Sequence, residues 1–152
     1  MKNRNMTSEV TLRVAGIHDV APIARLISSL GYPTTVSAMR ERLMAILDDA
    51  SYATFVAELD DYVVGMIGCR ISPIYERTGR AGHIMALAVE ESAQRSGCGR
   101  ALMEMAERWV QQQGGVEMVI NSGNHRTGAH AFYRARGYEA TGQRFIKFFI
   151  PT

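Results

Sequence analysis

The 152-residue chain has few of the residues that mark disulfide-rich, metal-binding or linker-rich proteins. Its 2 cysteines, Cys69 and Cys98, form no C-x-x-C pair, so we expect neither a disulfide framework nor a cysteine zinc site, and a reducing cytoplasm is predicted. It has only 4 prolines and no run of serine and glycine. The sequence therefore predicts a single domain over residues 10–152, after a polar tail at residues 1–9.

Long apolar runs are also absent. No window approaches the ~18 uninterrupted apolar residues of a membrane span, so no membrane partner is predicted. The segment Met1–Glu9 is polar, and we expect no secretory signal there. Hydrophobic residues make up 47% and charged residues 21%, proportions typical of a globular protein.

Lysine is scarce, with 2 residues against 15 arginines. The charge is uneven: residues 1–76 carry 7 basic and 9 acidic side chains, and residues 77–152 carry 10 and 6. An arginine-rich half suits an anionic small ligand, because the guanidinium fork matches phosphate oxygens, although a solvated surface would explain the charge equally well. A nucleic-acid partner is not predicted, because the pI of 8.7 lies below the value of about 9 expected for such domains.

Apolar periodicity and turn residues predict six strands and four helices. The predicted strands are 10–14, 51–59, 62–71, 83–89, 116–120 and 145–150, and the predicted helices are 17–30, 34–47, 98–113 and 127–135. Asp60-Asp61 predicts a tight hairpin and hence an antiparallel pair. Helical crossovers within 83–120 and 116–150 predict parallel or near-parallel neighbours. The fold class is therefore a mixed α/β sheet with helices on both faces.

The segment 84–102 is the most informative. A buried strand leads into a loop that contains Gly97 and Gly99, and a strongly amphipathic helix follows at once. Unpaired N–H groups at a helix start, with Arg95 and Arg100 beside them, predict a cradle for a phosphate or pyrophosphate; the glycines could instead serve only a tight turn. Arg100 stands where a triphosphate loop needs lysine, and Leu102 where a dinucleotide fingerprint needs a third glycine, so neither of those motifs fits.

Two motifs in this order resemble the GNAT superfamily of N-acetyltransferases. The first is Q-x-x-G-x-G at Gln94–Gly99, preceded by the strand Leu87–Val89. The second is Asn124 followed by A-x-x-F-Y at Ala129–Tyr133 and by Gly137-Tyr138. The resemblance covers residues 10–150 and includes the order of the predicted elements.

The resemblance implies acetyl-CoA as acyl donor and a mostly antiparallel twisted sheet with splayed central strands. No H-x-x-x-H pair or carboxylate partner of a histidine indicates a metal site in the sequence, so no metal is predicted. It implies that the backbone at Leu87, Ala88 and Val89 holds the pantetheine arm, beside a bulge whose N–H stabilises the oxyanion. Asn124 and Ala129 match further cofactor contacts. The pyrophosphate-binding residues implied are Gln94, Arg95, Ser96, Gly97, Cys98, Gly99 and Arg100.

The resemblance also implies proton-transfer roles. Tyr133 matches the general-acid tyrosine that protonates the leaving thiolate; the alternative is that it only packs on a short helix. His83 stands where histone-type members place a glutamate base, and an imidazole can do this work near neutral pH. A water-filled channel is the alternative base, and Glu76 is a poorer candidate.

The acceptor is expected to be a small-molecule or peptide amine. In the family its specificity lies in segments that match residues 17–49 and 74–82. Residues of these segments that could line the site are Tyr32, Pro33, Tyr75, Arg77 and Arg80. The two arginines would suit a carboxylate-bearing amine. A homodimer is expected because edge strands of this fold often pair between chains. Two other functions remain open: a non-catalytic acyl-CoA sensor, and transfer of another acyl group or to an oxygen acceptor.

Overall fold

The computed structural model describes residues 9–121 and 127–150, in which five strands and four α-helices form. Two compact units are present, residues 1–119 and residues 120–152. The elements are β1 (Thr11–Val14), α1 (Val20–Ser29), α2 (Val36–Leu47), β2 (Tyr52–Leu59), β3 (Tyr62–Pro73), β4 (Arg80–Val89), α3 (Cys98–Gln112), β5 (Gly115–Ile120) and α4 (Thr127–Ala135), with short 3₁₀ helices at Ile17–Asp19 and Glu91–Ala93.

The strands form one sheet in the order β1-β2-β3-β4-β5. The first four strands are antiparallel to their neighbours, so the predicted mixed, mostly antiparallel class is confirmed. The predicted hairpin is also confirmed. Asp60 and Asp61 have φ angles of 50° and 64°, the left-handed pair that a two-residue turn between twisted strands requires.

The sheet carries helices on both faces. On one face, α1 and α2 build a core with Met66 and Ala88, which are 4% and 2% exposed. On the other face, α3 lies so close that a Cβ at Gly65 would meet Leu102, and one at Gly82 would meet Val110. Alternate positions along β3 and β4 therefore face either α1 and α2 or α3.

The predicted helix over residues 17–30 is two elements, a short 3₁₀ helix followed by α1, and Asp19 does not cap α1 with its side chain. That carboxylate, 2% exposed, instead accepts hydrogen bonds from Arg13 at 2.8 Å and from the Gly16 N–H at 2.8 Å. Burial by itself raises the pKa of Asp19, but these hydrogen bonds outweigh it and leave the pKa below its ordinary value.

Two sequence predictions about strands are wrong. The strand predicted at 83–89 is present, but β4 begins earlier, at Arg80, because Arg80 already pairs with Pro73. The predicted strand at 145–150 is absent among the described residues. Its apolar side chains are exposed, Phe145 at 86% and Phe149 at 90%, and the described residues that follow β5 within the second unit form no strand with which it could pair. The crossover predicted within 116–150 therefore lacks its second strand.

Candidate functional site

Strand β4 carries a bulge at Met85. Consecutive residues of β3, Gly68 and Cys69, pair with Ala86 and Ile84, which leaves Met85 as the extra residue between them. A bulge withdraws one residue from the regular ladder and re-aims its neighbours. Met85 is 55% exposed, so this irregular stretch of backbone opens to solvent in the middle of an otherwise buried strand.

A compact loop joins β4 to α3. The Gln94 Nε2 donates to the Val89 carbonyl at 3.5 Å, and the Ser96 hydroxyl donates to the Ala93 carbonyl at 2.5 Å. Ala93 is buried, whereas Gln94, Arg95 and Ser96 are exposed. The loop is thus anchored at its base and presents its outer backbone to solvent.

Gly97 directs the chain from this loop into α3. Its φ of +83° is a left-handed conformation that side chains with a Cβ rarely adopt, and no atom lies within 4 Å of the position that a Cβ would take. The first helical hydrogen bond runs from the Ala101 N–H to the Gly97 carbonyl at 3.0 Å. The N–H groups of Cys98, Gly99 and Arg100 precede it and have no acceptor within the helix, so they can bind an anion.

The side chain of Cys98 has a packing role. It is 0% exposed, and burial raises its pKa to about 11. Burial likewise raises the pKa of Cys69, the other cysteine, to about 12. Both thiols stay protonated at neutral pH, and a cysteine nucleophile has no support in this chain.

Positive charge lies at the exposed start of α3. Arg100 donates to Glu104 at 3.0 Å, a surface pair in which both side chains are more than half exposed. Arg95 is exposed and has no ion pair within the part of the chain that the structure describes. The open backbone, the free helix N–H groups and Arg95 together fit a pyrophosphate, and this agreement does not depend on any sequence motif.

The comparisons with known proteins agree with this geometry. The family model described as "Acetyltransferase (GNAT) family" matches residues 20–138, which include the whole segment from α1 through β4, the loop, α3 and the last helix. The chain belongs to the GNAT family. The predicted family resemblance is therefore confirmed.

Individual GNAT relatives differ in the acceptor that their names give. The chain is 31% identical over 150 residues to the aminoglycoside N(6')-acetyltransferase type 1 of Stenotrophomonas maltophilia, covering 96% of each protein. It is 28% identical over 115 residues to human N-acetyltransferase 8, of which it spans half the length. Among solved structures, an aminoglycoside N-acetyltransferase in complex with CoA has a TM-score of 0.85 at 19% identity over 97% of this chain and 98% of that one. The glucosamine-6-phosphate N-acetyltransferase of Arabidopsis thaliana has a TM-score of 0.79 at 17% identity over 93% of this chain and 99% of that one. At these identities the structures support the GNAT fold alone.

His83 lies two residues before the bulge. It pairs with Arg70 of the neighbouring strand β3. The preceding pair on the two strands, Gly82 with Ile71, faces α3. Alternation therefore places His83 and Arg70 on the opposite face, the one that α1 and α2 partly cover. His83 is half-buried. The predicted base thus stands on the same strand as the bulge and within the same unit as the Gly97 loop.

Tyr133 lies on α4, in the second unit. Its ring makes edge contacts with Phe132 at 5.6 Å and with Tyr138 at 6.3 Å between centroids. The Tyr133 carbonyl also accepts the N–H groups of Arg136 and Tyr138 at 3.0 and 3.1 Å, which close the end of the helix. The half-buried Tyr133 is thereby held in a small aromatic cluster. Ala129 lies one turn earlier and is half-buried, whereas Asn124 lies outside the described residues.

The residues predicted to line an acceptor site have varied surroundings. Arg77 forms an ion pair with Glu117, and Arg80 donates to the Gln113 carbonyl at 3.1 Å, so both arginines are engaged within the first unit. Tyr75 is fully exposed and Tyr32 is 61% exposed; Pro33 and Glu76 are exposed as well. Across residues 9–121 and 127–150 no cluster of metal-ligating side chains is found. In the same ranges no helix is both long and apolar enough to cross a membrane.

Sequence reasoning missed Met85, Gly65 and Arg70. Two glycines inside strand β3, Gly65 and Gly68, were the available signal, because glycine within a strand often marks a bulge or a close approach. Gly68 is indeed opposite the bulge, and Gly65 lies under α3. The signal for Arg70 was weaker: it is the one charged residue in the mostly apolar strand β3.

Proposed function

We propose that the protein is an acetyl-CoA-dependent N-acetyltransferase that transfers the acetyl group directly to a primary amine in a ternary complex. Membership of the GNAT family supports the acyltransferase class. The observation that carries the proposal within this chain is the open helix start at Gly97, whose N–H groups and neighbouring arginine fit the pyrophosphate of CoA.

In this proposal the chain holds the donor by its backbone. The N–H groups of Cys98, Gly99 and Arg100 and the loop residues Gln94 to Gly97 bind the pyrophosphate. The backbone of Leu87, Ala88 and Val89 extends along the pantetheine arm, with Asn124 and Ala129 as further contacts. The bulge at Met85 brings an N–H toward the thioester carbonyl, where a fixed donor stabilises the oxyanion as it forms.

Two side chains carry the protons. The neutral amine nitrogen attacks the acetyl carbonyl carbon, a C–N bond forms, and the C–S bond then breaks. His83, directly or through water, takes the proton that the amine loses, and Tyr133 donates its hydroxyl proton to the departing CoA thiolate. The products are the N-acetylated amine and the CoA thiol, and the proton from the amine restores the tyrosine through solvent.

A screen of primary amines with acetyl-CoA, read by release of the CoA thiol, tests this function. We expect turnover with at least one amine. Tight CoA binding without turnover for any amine would favour a sensor. Faster reaction with an alcohol than with its matched amine, or with a longer acyl-CoA than with acetyl-CoA, would favour the other acyltransferase alternatives.

A homodimer belongs to the same proposal. The segment Phe145–Ile150 exposes five large apolar side chains, each 60% exposed or more, and such a segment is stabilised when another chain covers it. We expect a dimer by light scattering, and a monomer after Phe145→Ser with Phe149→Ser. Tyr75→Ser, which removes an equally exposed aromatic elsewhere, serves as control. A wild-type monomer, or a dimer unchanged by the double substitution, would contradict the assembly. A cytoplasmic location fits the two buried, free thiols.

A further inference from the structure

Arg70 stands at the edge of the helix-covered part of the sheet. Met66, Gly68 and Arg70 alternate along the same face of β3. Met66 lies in the core under α1 and α2, but a Cβ at Gly68 would meet no atom within 4 Å, and Arg70 is exposed. The face therefore opens beyond Met66, and Arg70 and its cross-strand partner His83 stand on the opened part.

The guanidinium of Arg70 is oriented but not neutralised. It lies over the ring of Tyr52, its partner on β2, at 5.5 Å from the centroid. In the ranges that the structure describes it has no ion pair within 4 Å. Arg70 also interacts electrostatically with Asp49, but the Asp49 carboxylate is occupied by the Ser51 N–H at 2.9 Å and the Ser51 hydroxyl at 2.7 Å. Stacking on an aromatic ring fixes the plane of a guanidinium and leaves its edge free for an anion.

Arg70 differs in its surroundings from Arg77 and Arg80, the two arginines that the sequence analysis named as suited to a carboxylate-bearing amine. Arg77 and Arg80 are engaged by Glu117 and by the Gln113 carbonyl. Arg70, in contrast, offers its donors on the same sheet face as His83, two residues along the strand from the bulge. Two residues of strand correspond to about 7 Å.

We propose that Arg70 binds a carboxylate of the acceptor, so that the enzyme acts on amines with a carboxylate about 7 Å away, such as short peptides or ω-amino acids. This inference rests on the proposed function, because it uses the bulge as the point of acetyl transfer. In this inference Arg70 determines which substrates are accepted, and it contacts the substrate at a point away from the reacting atoms.

Glycylglycine and glycylglycinamide test the assignment, because they carry the same amine and differ in the carboxylate. Wild-type kcat/KM is expected to be at least about tenfold higher for the acid. Arg70→Gln should lower the value for the acid at least about tenfold and change that for the amide less than about twofold. Arg70→Lys should recover part of the loss, and the KM for acetyl-CoA should not change. Arg108→Gln, an exposed arginine on α3, should behave as wild type.

The assignment would be overturned if Arg70→Gln lowered kcat/KM equally for the acid and the amide, or lowered it for neither. It would also be overturned if the enzyme preferred a polycationic aminoglycoside and Arg70→Gln left that preference intact. Binding gives a readout that does not need turnover: N-acetylglycylglycine, the product, should show saturation-transfer NMR signals with the wild-type protein and CoA but not with Arg70→Gln. If no amine is acetylated, the proposed function fails while this measurement still decides the carboxylate site. No signal with the wild-type protein would overturn the site itself.

Discussion

Gly65 of β3 lies directly beneath Cys98, the first residue of α3: a Cβ added to Gly65 would come within 2.8 Å of the Cys98 sulfur and 3.1 Å of Leu102. Both neighbours are fully buried. The start of α3 is therefore positioned by a glycine 33 residues earlier in the sequence. If α3 binds acetyl-CoA as proposed, this contact couples the packing of the sheet to cofactor binding.

Gly65→Ala is accordingly expected to displace the start of α3. Overpacking of a buried site costs about 1–3 kcal/mol, and we expect a loss of unfolding free energy in this range together with a raised KM for acetyl-CoA. Chemical denaturation and steady-state kinetics measure the two effects. Cys98→Ala added to Gly65→Ala should recover much of both.

Gly68→Ala is the matched control, because the same change in the same strand meets no atom within 4 Å. It should alter the unfolding free energy by less than about 1 kcal/mol. Equal destabilisation by the two substitutions would show that strand propensity, and not contact with Cys98, decides the outcome.

Gly97→Val tests the loop. A β-branched residue cannot easily hold a φ of +83°, so the N–H groups at the start of α3 should be misaligned and the KM for acetyl-CoA should rise at least about tenfold. Gly97→Asn, which tolerates the left-handed region, should have a smaller effect.

Gly31→Val separates cofactor binding from general strain. Gly31 follows α1 with a φ of +98°, and its Cβ position is also open. We expect a similar loss of stability but an unchanged KM for acetyl-CoA. An unchanged KM in a folded Gly97→Val protein would mean that the loop does not bind the pyrophosphate.

Tyr133→Phe removes one hydroxyl and keeps the ring that packs on Phe132 and Tyr138. General acid catalysis typically contributes about 10²–10⁴-fold, and we expect kcat to fall by that order while acetyl-CoA binding is retained. Tyr62→Phe, at the exposed first residue of β3, controls for loss of a hydroxyl. If Tyr133→Phe keeps a near-normal kcat under conditions where the chemical step is rate-limiting, Tyr133 has only a packing role.

His83 is tested by the pH dependence of kcat/KM. A histidine base produces a limb of kcat/KM that rises with pH, because only the neutral ring accepts a proton. His83→Ala should abolish or shift this limb. A limb that persists unchanged would belong to the amine or to another group and would favour the water route.

Asp19→Asn tests the buried carboxylate beside Arg13. The depressed pKa of Asp19 means that its stabilising effect is present above its unfolded value, about pH 4, and is lost as the pH falls through the folded value. At pH 7 we expect a loss of about 2–3 kcal/mol in unfolding free energy. The difference from wild type should shrink below about pH 4. Glu41→Gln, exposed on α2, should cost less than about 0.5 kcal/mol at both pH values.

Local signals predicted much of the fold and part of the site. The Asp60-Asp61 turn, the helix at 98–113 and the loop at Gln94–Gly99 could be read from sequence because each depends on residues close together in the chain. The partners of Asp19 could not, because Arg13, which donates to it, lies on β1 and also donates to Glu58, the residue that pairing places on the neighbouring strand β2. The segment 145–150 shows the converse: alternation predicted a strand, but a strand also needs a neighbour, which periodicity does not supply.

The central claim is that one acetyl group passes directly from CoA to an amine. Reaction with acetyl-CoA carrying an isotopically labelled acetyl group, followed by NMR and by mass spectrometry of the intact protein, tests it most directly. We predict that the label appears in a new amide of the acceptor, in one-to-one ratio with free CoA thiol, and that the protein stays unlabelled throughout. Label that accumulates on the protein before the acceptor is added, or CoA release without a labelled amide, would contradict the account.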